Sequence, residues 1–275
     1  MITNFRIVKL EPGLEKYIER IFIIESSGRL PTNDLKLIVP NACPKLVIPF
    51  GNGLSAATRE WEHVSPENKI AFIGISDIPA HVDFQHNKAG GSITVEFKPS
   101  GAYRFACLHW QDVANRIYNY ADVGEKVVKE LEERLANEEN INSKVGFVQR
   151  FLIRVLNTQE EDLIFDFCVQ QITRHKGKIS IGELERQTGY SARWLNMKFY
   201  NRVGISPKNL ASIVRFQQYY HSLVSNSELF FFKKEFYDYY HDQSHFIKDF
   251  KRFTGHAPVL LSKLNNNYDH VFYRG

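Results

Sequence analysis

One pattern occurs twice in the chain and constrains its fold most: a short, capped helix followed by a stop signal. In the stretch DQSHFIKDFKRFTGHAP, Asp242 suits a helix N-cap, because its carboxylate can accept hydrogen bonds from the free N–H groups of the first turn. Apolar residues then recur with the period of a helix, at Phe246, Ile247, Phe250 and Phe253. The glycine and proline of TGHAP predict that the helix ends there.

The second copy, SARWLNMKFYNRVGISP, begins 51 residues earlier. Ser191 corresponds to Asp242, and Gly204 corresponds to Gly255. We expect a shorter helix ahead of each copy, with Gly189 supplying the positive φ of the turn in the first one. The repeat therefore predicts two helix-turn-helix units. A short helix with hydrogen-bonding groups near its N-terminus and basic residues further on suits the major groove of DNA.

Charge is unevenly placed along the 275 residues. Residues 1–160 carry 19 Lys+Arg against 20 Asp+Glu, whereas residues 161–275 carry 16 against 11. The excess of positive charge thus falls in the half that holds the repeated helix, as binding to a polyanion requires. Charge alone is weak evidence, because such an imbalance also arises by chance.

Residues 179–264, about a third of the chain, resemble the DNA-binding domain of the AraC/XylS family of transcriptional regulators. The matching residues are Ile181, Leu184, Gly189, Tyr190, Ser191, Leu195, Phe199, Gly204, Ser206 and Pro207, then residues 242–246, Phe250, Lys251, Phe253, Gly255 and Pro258. The segment VEFKPSGAYRF is more loosely similar to a strand–turn–helix corner of N-terminal domains in this family. The second unit departs from the family's pattern, because a tyrosine, Tyr239 or Tyr240, stands where the turn glycine is expected.

The resemblance implies which side chains contact DNA. Base edges would be read by Arg193, Asn196 and Met197 in the first unit and by Gln243, Ser244 and Lys248 in the second, with His245 at the edge of the groove. Phosphate contacts would come from Lys198, Arg202, Lys251 and Arg252. The alternative for each basic residue is a solvated helix face. A long helix at 209–223 would hold the two units about one DNA turn apart, roughly 34 Å.

The N-terminal part reads as mostly β. Short apolar runs separated by Gly, Pro and Asn predict strands at 5–10, 36–40, 45–50, 70–75, 80–84 and 92–98, and residues 14–25 could open as a helix and continue as a strand. Many short strands indicate a sandwich or small barrel. We therefore expect a two-domain α+β chain. Residues 1–157 would form a β-rich domain with helices, and 163–265 an all-α domain with units at about 179–207 and 231–258.

Two amphipathic helices are predicted between these domains. The first covers 123–136, and the second is expected to begin at Ser143 as its cap. Their apolar stripes could serve dimerisation or simply pack on their own domain. The polar stretch NTQEED at 157–162 is the expected linker, and 163–174 is the expected first helix of the DNA-binding domain, with Phe165, Cys168, Val169 and Ile172 inward.

Other features bear on class and location. Three separated cysteines, Cys43, Cys107 and Cys168, favour reduced thiols and a cytoplasmic protein. No apolar run suggests a membrane span, and the N-terminus lacks the pattern of a secretory signal. The histidines at 63, 81 and 86 do not form a His-x-His metal motif, so we expect neither a metal nor another cofactor.

These features predict a sequence-specific transcriptional regulator of the AraC type rather than an enzyme. Its partners would be double-stranded promoter or operator DNA, a small-molecule effector, RNA polymerase if it activates, and a second copy if it dimerises. Two alternatives remain open for the N-terminal half. It could be an enzyme fused to a DNA-binding domain, or a dimerisation module without a ligand.

Overall fold

The computed structural model describes residues 2–106, 108–123, 126–156, 161–225, 239–240, 242–261 and 263–272. An N-terminal part built on two antiparallel sheets is followed by a helical C-terminal part. This confirms the predicted fold class. Residues 157–160, most of the predicted linker, and residues 226–238, where the first helix of the second unit is expected, lie outside the described residues.

Ten strands are described: β1 (Ile2–Val8), β2 (Ile18–Ser26), β3 (Leu37–Ile38), β4 (Lys45–Phe50), β5 (Leu54–Ala57), β6 (Glu62–Ser65), β7 (Ala71–Ile73), β8 (Ala80–Phe84), β9 (Gly90–Phe97) and β10 (Ile117–Asn119). The larger sheet has the order β1-β2-β9-β4-β7-β10, and the smaller has the order β3-β8-β5-β6. All named pairs are antiparallel. Every strand predicted from the sequence is present, with shifted ends at most of them.

Strand β9 lies inside the larger sheet, between β2 and β4. Its alternating pattern puts Ile93, Val95 and Phe97 on one face, in the main apolar core. The opposite face carries Thr94 and Glu96, and these polar side chains are buried as well. The polar face of this strand therefore points into the protein, toward the second sheet, and not toward solvent.

Three strands were not predicted: β5, β6 and β10. Their sequences, LSAA, EHVS and IYN, are short, and β5 and β6 have few of the β-branched and aromatic residues that mark a strand. Partners supply what the local sequence lacks, because β5 pairs with both β6 and β8, and β10 pairs with β7. The helix expected at residue 14 is a single turn, in which Ile18 N donates to Leu14 O at 2.8 Å.

Eleven helices are described: α1 (Trp110–Val113), α2 (Tyr120–Val123), α3 (Lys126–Ala136), α4 (Ile141–Leu156), α5 (Leu163–Arg174), α6 (Ile181–Thr188), α7 (Ala192–Val203), α8 (Pro207–Ser225), α9 (Gln243–Thr254), α10 (Pro258–Leu261) and α11 (Asn267–Phe272). A 3₁₀ turn at Ala102–Arg104 precedes α1. The described helices include none that is both long and apolar enough to cross a membrane.

Helices α3 and α4 pack against each other and against the N-terminal domain. Val128 and Leu152 lie in its core, and the buried carboxylate of Glu132 accepts from Ile70 N at 2.9 Å. Their apolar stripes are thus largely buried within the chain itself, and dimerisation stays a prediction. The expected cap at Ser143 is wrong, because Asn140 Oδ1 accepts from the N–H of residues 142 and 143, and the helix begins three residues earlier than expected.

Helix α5 joins the two parts of the chain. Its predicted inward residues, Phe165, Cys168, Val169 and Ile172, are all buried. The ring of Phe165 lies 5.6 Å from that of Tyr103 on the N-terminal side and 4.8 Å from that of Phe199 in α7. One apolar core therefore runs from the β domain into the first helix-turn-helix unit, which limits how freely this unit can move.

Candidate functional site

The first helix-turn-helix unit is formed by α6 and α7. Gly189 ends α6 with φ 74°, and Ser191 then caps α7 by accepting from Trp194 N. Glu185 in α6 accepts from Ala192 N at 2.5 Å, so a side chain of the first helix satisfies a free amide of the second. Gly204 closes α7 with φ 80°. The predicted cap, turn glycine and terminal glycine of this unit are confirmed.

The outer face of α7 holds the predicted base-reading residues. Arg193 and Met197 are exposed, the latter by 52%, and Asn196 is half-buried. Trp194 is half-buried too, and its ring stacks on Tyr190 with 3.9 Å between centroids. The helix therefore presents a free guanidinium, an amide and a thioether near its N-terminus. Their contact with bases stays a prediction.

Two predicted phosphate contacts on α7 are held by one carboxylate. Lys198 Nζ and Arg202 Nε each lie 2.9 Å from Asp162 Oδ2. Asp162 also caps α5 by accepting from Phe165 N. Burial raises the pKa of this carboxyl, but hydrogen bonds from Lys198 and Arg202 and from the Phe165 amide outweigh burial, and the net pKa is lowered. A phosphate would have to share or displace this pairing.

The recognition helix of the second unit is α9. Asp242 caps it by accepting from His245 N at 2.7 Å, and Gly255 ends it with φ 74°, as predicted. The predicted DNA-contacting side chains on this helix all lie on its exposed side: Gln243, Ser244, His245, Lys248, Lys251 and Arg252. The helix is fixed from the other side by Phe246, Phe250 and Phe253, which are buried.

The tyrosines that replace the turn glycine have a packing role. Tyr240 is 1% exposed, and its ring contacts those of Tyr219 and Phe246, with centroids 6.3 and 5.2 Å away. The guanidinium of Arg215 lies 5.0 Å from the centroid of the same ring. Neither tyrosine is among the described residues with positive φ. In the described part of this turn, the position expected for glycine is therefore occupied by a buried tyrosine that packs on Tyr219 and Phe246.

Arg252 connects α9 to the N-terminal domain. Its guanidinium donates to Asp77, which follows β7 and also accepts from Asn209 Nδ2 of α8 at 3.3 Å. Asn115 holds the same carboxylate from the N-terminal side, with Nδ2 2.9 Å from Asp77 Oδ1. Asp77 was not predicted as a functional residue, and no local signal identifies it, because its partners lie up to 175 residues away.

A cavity of about 170 Å³ lies between the two sheets. The larger sheet contributes side chains from β2, β4, β7 and β9, and the smaller contributes β5 and β8. Most of the lining is apolar, including Phe22, Ile24, Val47, Ile73, Val82 and Phe84. The buried polar face of β9 also lines it, through Ser92, Thr94 and Glu96. The regular alternation of that strand was the sequence signal for a polar face, but not for the burial of that face.

The polar end of the cavity is built around Glu96. Arg20 Nε lies 2.7 Å from Glu96 Oε2, Lys45 Nζ lies 3.7 Å from Oε1, and Asn41 donates to Oε1 at 2.7 Å. Burial raises the pKa of Glu96, but Lys45 and Arg20 outweigh it, so the pKa is lowered and the carboxylate stays ionised. At this end of the cavity two cations face one carboxylate, which leaves one positive charge, and Arg116 is a further cation of the lining.

The histidines and cysteines take no part in a metal cluster within the residues described, where no group of three or more His, Cys, Asp or Glu could hold an ion. Burial lowers the pKa values of His63 and His81. Cys43 and Cys168 are free thiols, and burial raises the pKa of Cys168 to about 11. Cys107 lies outside the described residues.

No protein-family model and no curated protein sequence matches the chain. Solved structures do match. A structure of ToxT from Vibrio cholerae O395 bound to a naphthalenyl butenoic acid gives a TM-score of 0.45 at 14% identity, covering 88% of this chain and 98% of that one. An unsaturated fatty acid bound ToxT from Vibrio cholerae strain SCE256 gives 0.43 at 11%, covering 88% and 95%. The AraC-like transcriptional activator CuxR gives 0.25 at 13%, covering 78% and 86%.

An AraC-like transcriptional activator is thus among the solved structures to which this chain is similar, as the sequence predicted. TM-scores below 0.5 add no weight to a functional assignment.

Proposed function

We propose that the chain is a sequence-specific DNA-binding transcriptional regulator of the AraC type, controlled by a small molecule at its N-terminal domain. The observation that carries the proposal is the repeated recognition helix. Both α7 and α9 are preceded by an N-cap residue, end at a glycine with positive φ, and bury one apolar face. Each has polar and basic residues on its other side, which is the arrangement that base and phosphate contacts need.

Within this proposal the two helices have different chemistry. Arg193 in α7 is suited to bond a guanine bidentately, and Asn196 to bond an adenine. Gln243 in α9 offers a second amide for adenine. Met197, 52% exposed, can make only an apolar contact, such as one with a thymine methyl. The bound sequence is therefore expected to be asymmetric, with two different major-groove contacts about one helical turn apart.

The cavity between the sheets supports an effector over a ligand-free dimerisation module. Its apolar lining and one polar end, at Arg20 and Lys45, are the usual composition of a small-molecule site. The ligand expected is a mainly apolar molecule with one hydrogen-bond-accepting group. RNA polymerase and a second copy of the chain are further proposed partners.

The test is selection of bound sequences from a random double-stranded DNA pool with the purified full-length protein, at stated salt because the affinity depends on it. The expected result is enrichment of a motif in two parts about ten base pairs apart. The same selection with Arg193→Ala should lose preference at one position only. Binding that falls steeply with salt but enriches no sequence would contradict the proposal.

A further inference from the structure

The chain does not end with the second helix-turn-helix unit. After α10 it returns to the N-terminal domain, where Leu35 N donates to Asn265 O at 2.8 Å. The side-chain amide of Asn266 then bonds Leu37 twice, accepting from its N–H at 3.0 Å and donating to its C=O at 2.9 Å. Leu37 belongs to β3, an edge strand of the smaller sheet. The amide of Asn266 therefore pairs with the backbone N–H and C=O of this edge strand, as a neighbouring strand would.

The helix that follows, α11, forms one wall of the cavity. Tyr268 and Phe272 are both among its lining residues. The hydroxyl of Tyr268 donates to Val82 O at 3.1 Å, and the residue is 4% exposed. The ring of Phe272 lies 5.4 Å from that of Phe22, and the guanidinium of Arg20 lies 5.5 Å from its centroid. A segment far from the sheets in sequence thus covers part of the apolar lining and contacts the polar end.

The same segment contacts the helix that joins the two DNA-binding units. Asp269 Oδ1 accepts from Tyr220 OH of α8 at 3.0 Å and from Asn266 Nδ2 at 3.0 Å. Tyr220 is fully buried, and its ring packs on Phe216, which in turn contacts Phe250 of α9. One carboxylate therefore links the wall of the cavity to the helix that positions α9.

We propose that residues 265–272, here named the C-terminal strap, are a movable wall of the cavity. The strap opens to admit a molecule, and its displacement is transmitted through Asp269 and Tyr220 to α8. The inference rests on the proposed function for the cavity and deepens it. It names the element that couples occupancy to the arrangement of the two recognition helices.

The strap is suited to move because side-chain contacts and single hydrogen bonds hold it, and it is no part of either sheet. A helix of six residues has little stability of its own, so the strap depends on the contacts described above. The sheets that form the rest of the cavity are joined by continuous ladders of hydrogen bonds, such as the eight paired positions between β2 and β9. Local opening is easier for an element outside such ladders, so the strap is expected to open before the sheets do.

The first test measures access to the cavity in the full-length protein. The probe is 8-anilinonaphthalene-1-sulfonate, whose fluorescence rises in apolar surroundings. Asn266→Ala leaves both polar groups of Leu37 without this partner and should speed dye uptake about tenfold, the factor that corresponds to about 1.4 kcal/mol. The control is Lys263→Ala, an exposed position just before the strap, which should leave uptake unchanged.

A second variant keeps the test decisive if Asn266→Ala does not fold. Phe272→Leu stays apolar and removes only the ring contacts, so it should also speed dye uptake. Folded variants of both kinds that take up dye at the wild-type rate would overturn the assignment of the strap as the movable wall.

The coupling is measured by hydrogen exchange of α8 in the wild-type protein, with and without the dye. We expect the dye to speed exchange in the second half of α8. Tyr220→Phe keeps the ring but removes the bond to Asp269, and should abolish this response while dye still binds. Equal exchange with and without bound dye would overturn the coupling. If the protein selects no DNA sequence, the regulator proposal fails, while dye uptake and exchange still decide on the strap.

Discussion

Replacing Asp77 with asparagine should strengthen DNA binding, although it removes a favourable interaction from the free protein. Asp77 accepts from Arg252, a predicted phosphate contact on α9. One guanidinium cannot give the same donors to Asp77 and to a phosphate. In the wild-type protein, binding DNA through Arg252 must therefore break or weaken the pairing that ties α9 to the N-terminal domain.

The magnitude follows from the exposure of the pair. A hydrogen bond between charged groups stabilises a protein by about 1.5–3 kcal/mol when well buried. The Arg252 side chain is 37% exposed and that of Asp77 is 10% exposed, so solvent screening reduces the figure to about 1 kcal/mol. Asp77→Asn should lower the free energy of unfolding by about this amount. It should tighten DNA binding by about fivefold, which is the same free energy expressed as an affinity.

The assay is a series of binding isotherms at several salt concentrations, on the DNA sequence obtained by selection. Because Arg252 contacts the phosphate in the wild-type complex as well, the affinity should rise at every salt concentration while the slope of log affinity against log salt stays the same. Asp83→Asn serves as a matched control, since Asp83 is ion-paired to Lys36 within the N-terminal domain and should change neither quantity. In the Arg252→Ala background, Asp77→Asn should have no effect on DNA binding. An unchanged or weaker affinity for Asp77→Asn alone would refute the reasoning.

Three further predictions concern the helical half. In denaturant unfolding, Gly204→Ala should lower the free energy of unfolding much more than Gly189→Ala does. Both glycines have positive φ, but a Cβ at 204 would lie 2.1 Å from Trp110 O, whereas one at 189 meets nothing within 4 Å. Equal losses of unfolding free energy in the two variants would contradict this. Because the pKa of Asp162 is lowered in the folded protein, its stabilisation is complete above the ordinary pKa of about 3.9 and is lost as pH falls through the lower folded value. Asp162→Asn should therefore make the melting temperature depend less on pH in that acidic range. An unaltered pH dependence of the melting temperature would count against this. Arg193→Ala should cost about 1–3 kcal/mol on the selected DNA and much less on a sequence altered at the contacted base; a uniform loss on all sequences would point to a phosphate contact.

Local signals predicted the elements that carry the proposed function. Ser191 and Asp242 cap their helices, and Gly189, Gly204 and Gly255 have positive φ, because these requirements depend only on neighbouring residues. The failures among the elements have equally local reasons. Asn140 caps α4, although the serine three residues later is an equally suitable N-cap residue. Strand β5 forms because a paired strand lies on each side of it.

The cavity and the strap could not be predicted, because they depend on pairings over long distances. Glu96 accepts a hydrogen bond from Arg20, which is 76 residues away in the sequence, and Asn266 accepts one from Leu37, which is 229 residues away. Periodicity showed that β9 has one polar face. It did not show that a second sheet covers that face, since nothing in the sequence near β9 specifies which strand lies opposite.

For the basic residues on α7 and α9, residue type alone did not separate two roles: contact with a DNA phosphate and pairing with a carboxylate of the same chain. Lys198, Arg202 and Arg252 were assigned to phosphates by position, yet each pairs with a carboxylate in this structure. The two carboxylates differ in their consequence. Asp162 caps α5, whose Phe165 packs on Phe199 of α7, so its pairing lies within one packed group of helices.

Asp77 belongs to the other domain, so its pairing with Arg252 lasts only while α9 stays beside β7. The Ser76 and Ile78 side chains that flank Asp77 line the cavity, and Asn115, which holds its carboxylate, lines it too. A molecule in the cavity would therefore lie against the neighbours of Asp77, the carboxylate that pairs with α9 from the N-terminal domain. Of the described ion pairs on α7 and α9, this is the one that ties a helix to the N-terminal domain beside the cavity.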